Sequence, residues 1–230
     1  MVKKIQNKNN YNKPDSTKES KEIGKKKHPI WFYFIPISIP VVFFILLELF
    51  LRVINYGTKY IQWVNLTKDQ YILNPEYTRK YFHSTNGVPY SNGNFFDVIK
   101  ADNAFRVFIL GESSAAGYPF SPNGDFGKYI RKGLGLLYPD RKIEVVNLGI
   151  TAINTYTIRD LMHGVIDQKP DLILIYTGHN EFYGALGVGS TESLGSSRFL
   201  INSALWLEDF RTTQLVKLGV PASISAHLNY

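Results

Sequence analysis

From residue 30 to residue 47 the chain runs eighteen residues without a charge, dense in Ile, Phe, Val and Leu, and it stays apolar through Glu48 to Leu51. A transmembrane helix needs about 20 such residues to cross roughly 30 Å of hydrocarbon. A cleaved secretory signal has a shorter apolar stretch and small residues at its cleavage site. This run ends instead in Leu51-Arg52-Val53-Ile54, so residues 29–52 are read as an uncleaved transmembrane signal anchor, with residues 30–51 in contact with the membrane. Pro36 and Pro40 would kink a helix in water, but neighbouring groups and local adjustment accommodate them in lipid. Glu48 and Arg52 stand four apart in the favourable order and partly neutralise each other near the interface.

The net charge of +7 raises the question of a nucleic-acid partner. Its distribution answers it. Residues 1–28 hold nine lysines against Asp15, Glu19 and Glu22, which accounts for six of the seven charges. A basic stripe on the folded part is therefore not expected, and neither is nucleic-acid binding. The polar Lys- and Asn-rich tail lacks the apolar residues that would offset the entropy of ordering it, so residues 1–28 read as a disordered cytoplasmic tail. Positive charge before the span keeps that tail inside and places residues from about 53 onward outside the cytoplasm. The chain has no cysteine, which excludes a disulfide framework, a thiolate metal site and a cysteine nucleophile.

Residues 53–100 are rich in aromatics but show no sustained period of 2 or 3.6, and read as a membrane-proximal packing layer with turns at Asn86-Gly87 and Asn92-Gly93. Asn65-Leu66-Thr67 matches a glycosylation acceptor, a tripeptide common by chance. From residue 101 to 230 a different pattern begins. Three apolar runs (residues 106–110, 143–147 and 171–176) alternate with stretches of helical spacing: Phe126, Tyr129, Ile130, Leu134 and Leu137, then Ile158, Leu161, Met162 and Val165. Strand, helix, strand, helix, strand implies right-handed crossovers and a parallel sheet covered on both faces, an α/β/α sandwich.

Ligands bind beyond the carboxyl ends of such strands. The first run is followed by Gly111-Glu112-Ser113-Ser114, the second by Leu148-Gly149-Ile150-Thr151, and the third by Thr177-Gly178-His179-Asn180-Glu181. A hydroxyl nucleophile, a glycine exposing its backbone N–H and a carboxamide donor are the components of an acyl-transfer site with an oxyanion hole. In that order these residues resemble the SGNH, or GDSL, hydrolases. The Gly178-His179-Asn180-Glu181-Phe182-Tyr183-Gly184 wording is similar to a membrane-anchored subgroup of them. The resemblance covers roughly residues 105–184 and implies a flavodoxin-like fold, with Ser113 as nucleophile and the Ser113 and Gly149 N–H groups and the Asn180 side chain as oxyanion donors. It implies an ester- or acyl-bearing substrate, such as a decorated cell-surface glycan, and no cofactor or metal.

Three departures stand out. Glu112 and Glu181 occupy positions where the family usually has Asp, conservative changes. The third is larger: the family's Asp-x-x-His block after the Asn block is missing, since His227 is preceded by Ile224. Asp160 and His163 have that spacing but lie between the Gly and Asn blocks, and His163 falls eight residues into the second helix, about 12 Å from the rim at 1.5 Å per residue. They read as a helix-surface pair, and His179 as a structural or substrate-contacting group without a carboxylate partner. His28 and His83 lie outside the domain. The strand order 2-1-3 would leave the third run as an apolar edge, which natural sheets avoid, so the chain is expected to be the N-terminal part of a longer protein. Residues 199–218 have helix-like spacing. Two other functions compete with an esterase or O-acyltransferase: a non-catalytic binding or scaffold module on the same fold, and a phosphate binder at Gly111 to Gly117. The last lacks the P-loop lysine.

Overall fold

The computed structural model describes residues 29, 31–82, 87–190 and 193–219. The sequence reading of the tail, of His28, His83 and His227, and of the turn at Asn86 lies outside these residues. Contacts divide the chain into two compact units, residues 1–42 and 43–230. Helix α1 (Trp31–Val53) runs through the boundary and carries Pro36 and Pro40 in its first half. Its segment Phe34–Val53 is long and apolar enough to cross a membrane or to serve as a signal sequence. In the first unit the Ser38 hydroxyl donates to the Ile35 carbonyl at 3.0 Å, so this polar side chain is satisfied within its own helix.

The second unit is built on a parallel sheet of three strands, β4 (Ala104–Gly111), β5 (Lys142–Asn147) and β6 (Leu172–Tyr176), with β4 in the middle. The order matches the one expected from the sequence. Because side chains alternate across a strand, Val107 and Ile109 face one side of β4 and Phe108 and Leu110 the other, and all four are fully buried. Helix α3 (Phe126–Leu137) lays Phe126, Ile130 and Leu134 on the first face. Helix α4 (Thr155–Ile166) lays Ile158, Leu161 and Val165 on the second. β6 pairs with β4 on one side and with no strand on the other among the described residues, and Ile175 and Tyr176 are half exposed.

Residues 53–100 are more than a membrane-proximal layer. They form an antiparallel sheet of β1 (Trp63–Thr67), β2 (Gln70–Leu73) and β3 (Phe95–Asp97), with a 3₁₀ helix at Pro75–Tyr81. Leu73, Tyr77, Tyr81 and Phe96 belong to the same core as Phe108, Leu110 and Val146, so the core crosses the boundary drawn at residue 100. Phe96 packs edge-on against Trp63 and Phe108, with ring centroids 5.0 and 5.2 Å away. Buried Arg106 ties the two sheets together. Its Nε pairs with Glu144 at 2.6 Å, its two terminal nitrogens donate to the carbonyls of Gln168 and Asp97, and its guanidinium lies 4.9 Å from the Phe96 ring centre. Strands of three to five residues are too short to display a period.

The helix-like stretch 199–218 is two helices, α5 (Arg198–Leu207) and α6 (Arg211–Gly219). The break has a local cause. The Glu48 carboxylate accepts the N–H groups of Arg211 and Thr212 at 3.1 and 2.9 Å and the Thr212 hydroxyl at 3.1 Å, capping α6 from another element. Glu48 therefore has partners beyond Arg52, to which it is bonded at 2.7 Å.

Candidate active site at the carboxyl ends of the parallel strands

Each of the three sequence blocks follows a parallel strand. Ser113 opens a one-turn helix, α2 (Ser113–Ala116), directly after β4; Gly149 lies two residues beyond β5; and Asn180 lies four beyond β6. Close backbone approaches bring the segments together. A Cβ on Gly111 would stand 2.3 Å from the Tyr176 carbonyl oxygen, and one on Gly149 would stand 2.4 Å from the Ala116 nitrogen. The Ile150 N–H donates to the Gly111 carbonyl at 3.0 Å, extending the β4–β5 pairing to the rim.

Glu112 fastens the third loop to the first. This carboxylate is 1% exposed. Its Oε1 accepts the Thr177 hydroxyl at 2.6 Å and the Gly178 N–H at 3.0 Å, while its Oε2 accepts the N–H groups of His179 and Asn180 at 3.1 and 3.0 Å. Three consecutive amides converge on one charge, the kind of arrangement that makes a buried carboxylate tolerable. Glu181 secures the same loop from outside, accepting the N–H and hydroxyl of Thr155 at the start of α4. The two glutamates therefore have distinct structural tasks.

The Ser113 hydroxyl and the Asn180 carboxamide are partly exposed, and neither side chain is hydrogen-bonded by a described residue. Gly149 is placed differently from what its assigned role implies. It is buried against the backbone of α2, and its N–H donates to Asn147 Oδ1 at 2.8 Å. Asn147 is itself buried and donates to the Ala115 carbonyl and to Asp125 Oδ1. The structural demand on Gly149 is close packing rather than display of an amide. In the same loop Ala152 is exposed, has φ of 59°, and its N–H has no acceptor among the described residues. A non-glycine residue held in the left-handed region often marks a functional turn. No sequence signal distinguished this alanine, because positive φ was legible only at glycines.

The histidines fall as follows. α4 begins at Thr155, and His163 is exposed near its far end. Asp160 does not form a surface pair with it. Its carboxylate accepts the Tyr81 hydroxyl at 2.7 Å and the Tyr77 hydroxyl at 3.1 Å, and Lys80 lies 3.2 Å away. Burial, followed by the Asp160 charge, raises the Tyr77 phenol well above its ordinary value. His179 does have a carboxylate neighbour: its Nδ1 is 3.9 Å from Glu112 Oε2, beyond hydrogen-bond range, and its ring leans on Tyr176 at 5.5 Å. Among the described residues no group of three or more His, Asp or Glu is placed to hold a metal ion. Comparison with protein-family models, with curated proteins and with solved structures finds no match.

Proposed function

We propose that this chain is a membrane-anchored SGNH-type ester hydrolase or O-acyltransferase, with α1 as a single-pass anchor, the N-terminus in the cytoplasm and the α/β unit outside it. In this reading the parallel sheet is the first part of a flavodoxin-like α/β/α sandwich. What supports it is that Ser113 and Asn180, whose side chains have no hydrogen-bond partner among the described residues, each follow a parallel strand on segments joined by Glu112. Ser113 Oγ attacks the acyl carbonyl of an ester, for example on a surface glycan. The alcohol leaves with a proton, and water or a second alcohol then takes the acyl group from the serine. Asn180 Nδ2 and the Ser113 N–H face the developing oxyanion, where donors placed in advance act most strongly. The third donor in this reading is the Ala152 N–H, since that of Gly149 is bonded to Asn147. The reading requires a proton acceptor for Ser113, and no hydrogen bond among the described residues joins its hydroxyl to a base.

A fluorophosphonate probe tests the proposal. Labelling of the full chain at Ser113, abolished by Ser113→Ala, is the expected result. Absence of labelling on folded protein would favour a non-catalytic binding module on the same scaffold, a reading that the engaged Gly149 amide supports.

A further inference from the structure

Helix α5 is apolar on two opposite sides. Ile201 and Leu205 are buried in the core. At 100° per residue, Phe199, Leu200, Trp206 and Leu207 fall within about 120° of one another on the far side. They are 77, 56, 61 and 43% exposed. An exposed apolar face of this kind, interrupted by Ser203, suits burial against a partner surface or lipid, and no described residue covers it.

What lies beside it follows from Glu48. The Trp206 ring packs edge-on against Phe210, with centroids 4.7 Å apart. The next two residues, Arg211 and Thr212, give their N–H groups to the Glu48 carboxylate. Glu48 stands five residues before the end of α1, about 7.5 Å along the helix axis. The turn joining α5 to α6 is thus fixed against the last turns of the apolar helix, where Leu49, Phe50 and Val53 are exposed. Tryptophan and phenylalanine at that level occupy the depth of the aromatic belt at a membrane–water boundary. The four donors on Glu48, from Arg211, Thr212 (two) and Arg52, also account for a carboxylate there.

We propose that the outer face of α5, with the Trp206–Phe210 turn, lies in the lipid interface as a second contact beside the α1 anchor. The partner is the outer leaflet of the bilayer, entered by the apolar face of an interfacial helix. This rests on the proposed anchoring by α1.

The chain has no cysteine, so single cysteines can be introduced without removing any. Full-length S38C, W206C, L207C and Y129C, each carrying a nitroxide, would be compared in phosphatidylcholine nanodiscs by their accessibility to oxygen and to a nickel chelate. Residue 129 is an exposed position on α3, across the sheet from α5. The expected result is a shift to oxygen-favoured, lipid-like accessibility at 38, 206 and 207, with nickel-favoured accessibility at 129. Should 206 and 207 resemble 129 while 38 reads as lipid, the inference is overturned and the anchor stands. A nickel-favoured reading at 38 would sink the anchor and this contact with it. The L207C variant serves where W206C fails to fold.

Discussion

Glu112 Oε2 accepts the backbone N–H of Asn180 at 3.0 Å, which links the residue before the candidate nucleophile to the candidate oxyanion donor. Three further donors share this buried carboxylate. Glu112→Gln keeps the shape but turns an NH₂ toward N–H groups, leaving donors unsatisfied. Hydrogen bonds to a charged group contribute about 1.5–3 kcal/mol each, and an orphaned buried donor costs about 1–3. The variant should lose about 2–4 kcal/mol of unfolding free energy in urea, with an unchanged denaturant slope. Glu181→Gln, whose parent side chain is exposed, should lose under about 1 kcal/mol, as surface changes usually do. Equal losses would show that Glu112 is not the anchor of this loop.

Gly149 and Gly133 make a matched pair for the packing argument. An added methyl at Gly149 meets backbone atoms of Ala115 and Ala116 at 2.8 and 2.4 Å, which cannot rotate away. Gly149→Ala should destabilise by about 1–3 kcal/mol, the usual cost of overpacking. Gly133 lies inside α3, and a methyl added there would meet nothing within 4 Å, so Gly133→Ala should stabilise by about 0.4–1 kcal/mol. Thermal melts of both variants check the sign at each site.

The parallel strands were legible in the sequence because each is a short apolar run rich in β-branched residues, and this held even for β6, which is partly exposed in the structure. The antiparallel sheet was not, since its short strands owe their pairing to Phe96, Trp63 and Arg106, all contacts distant in sequence. Ser113 and Asn180 were legible as rim residues because each follows a strand end. The close packing at Gly149 and the bond from its N–H to Asn147 were not legible, because a glycine that exposes an amide and one that admits a helix look alike in one dimension. Asp160 shows the same limit: its partners, Tyr77 and Tyr81, lie about eighty residues away.

Asn180 should matter to turnover more than to affinity if its carboxamide meets the oxyanion only as that charge develops. In an assay in which the chain hydrolyses an aryl ester, Asn180→Ala should lower kcat about 10²- to 10³-fold and leave KM nearly unchanged. A loss of only a few-fold, with intact folding by circular dichroism, would remove Asn180 from the oxyanion hole. Because the Asn180 backbone is held by Glu112, the side-chain change leaves the loop anchored and isolates the carboxamide.

Alkaline pH should weaken the fold through its buried phenols. Burial, followed by the charge of Glu208, pushes the Tyr60 phenol up to about 12, whereas a phenol in the unfolded chain ionises near 10. Between those values the unfolded chain has released this proton and the folded chain has not. Stability is therefore full below pH 10 and falls as pH rises toward 12. Tyr81 acts in the same direction, its phenol raised by burial and then by the neighbouring Tyr77 and Asp160. Urea midpoints measured at pH 9 and 11 should fall for the parent protein and fall less for Tyr60→Phe. Identical slopes in the two proteins would show that Tyr60 ionises as readily folded as unfolded.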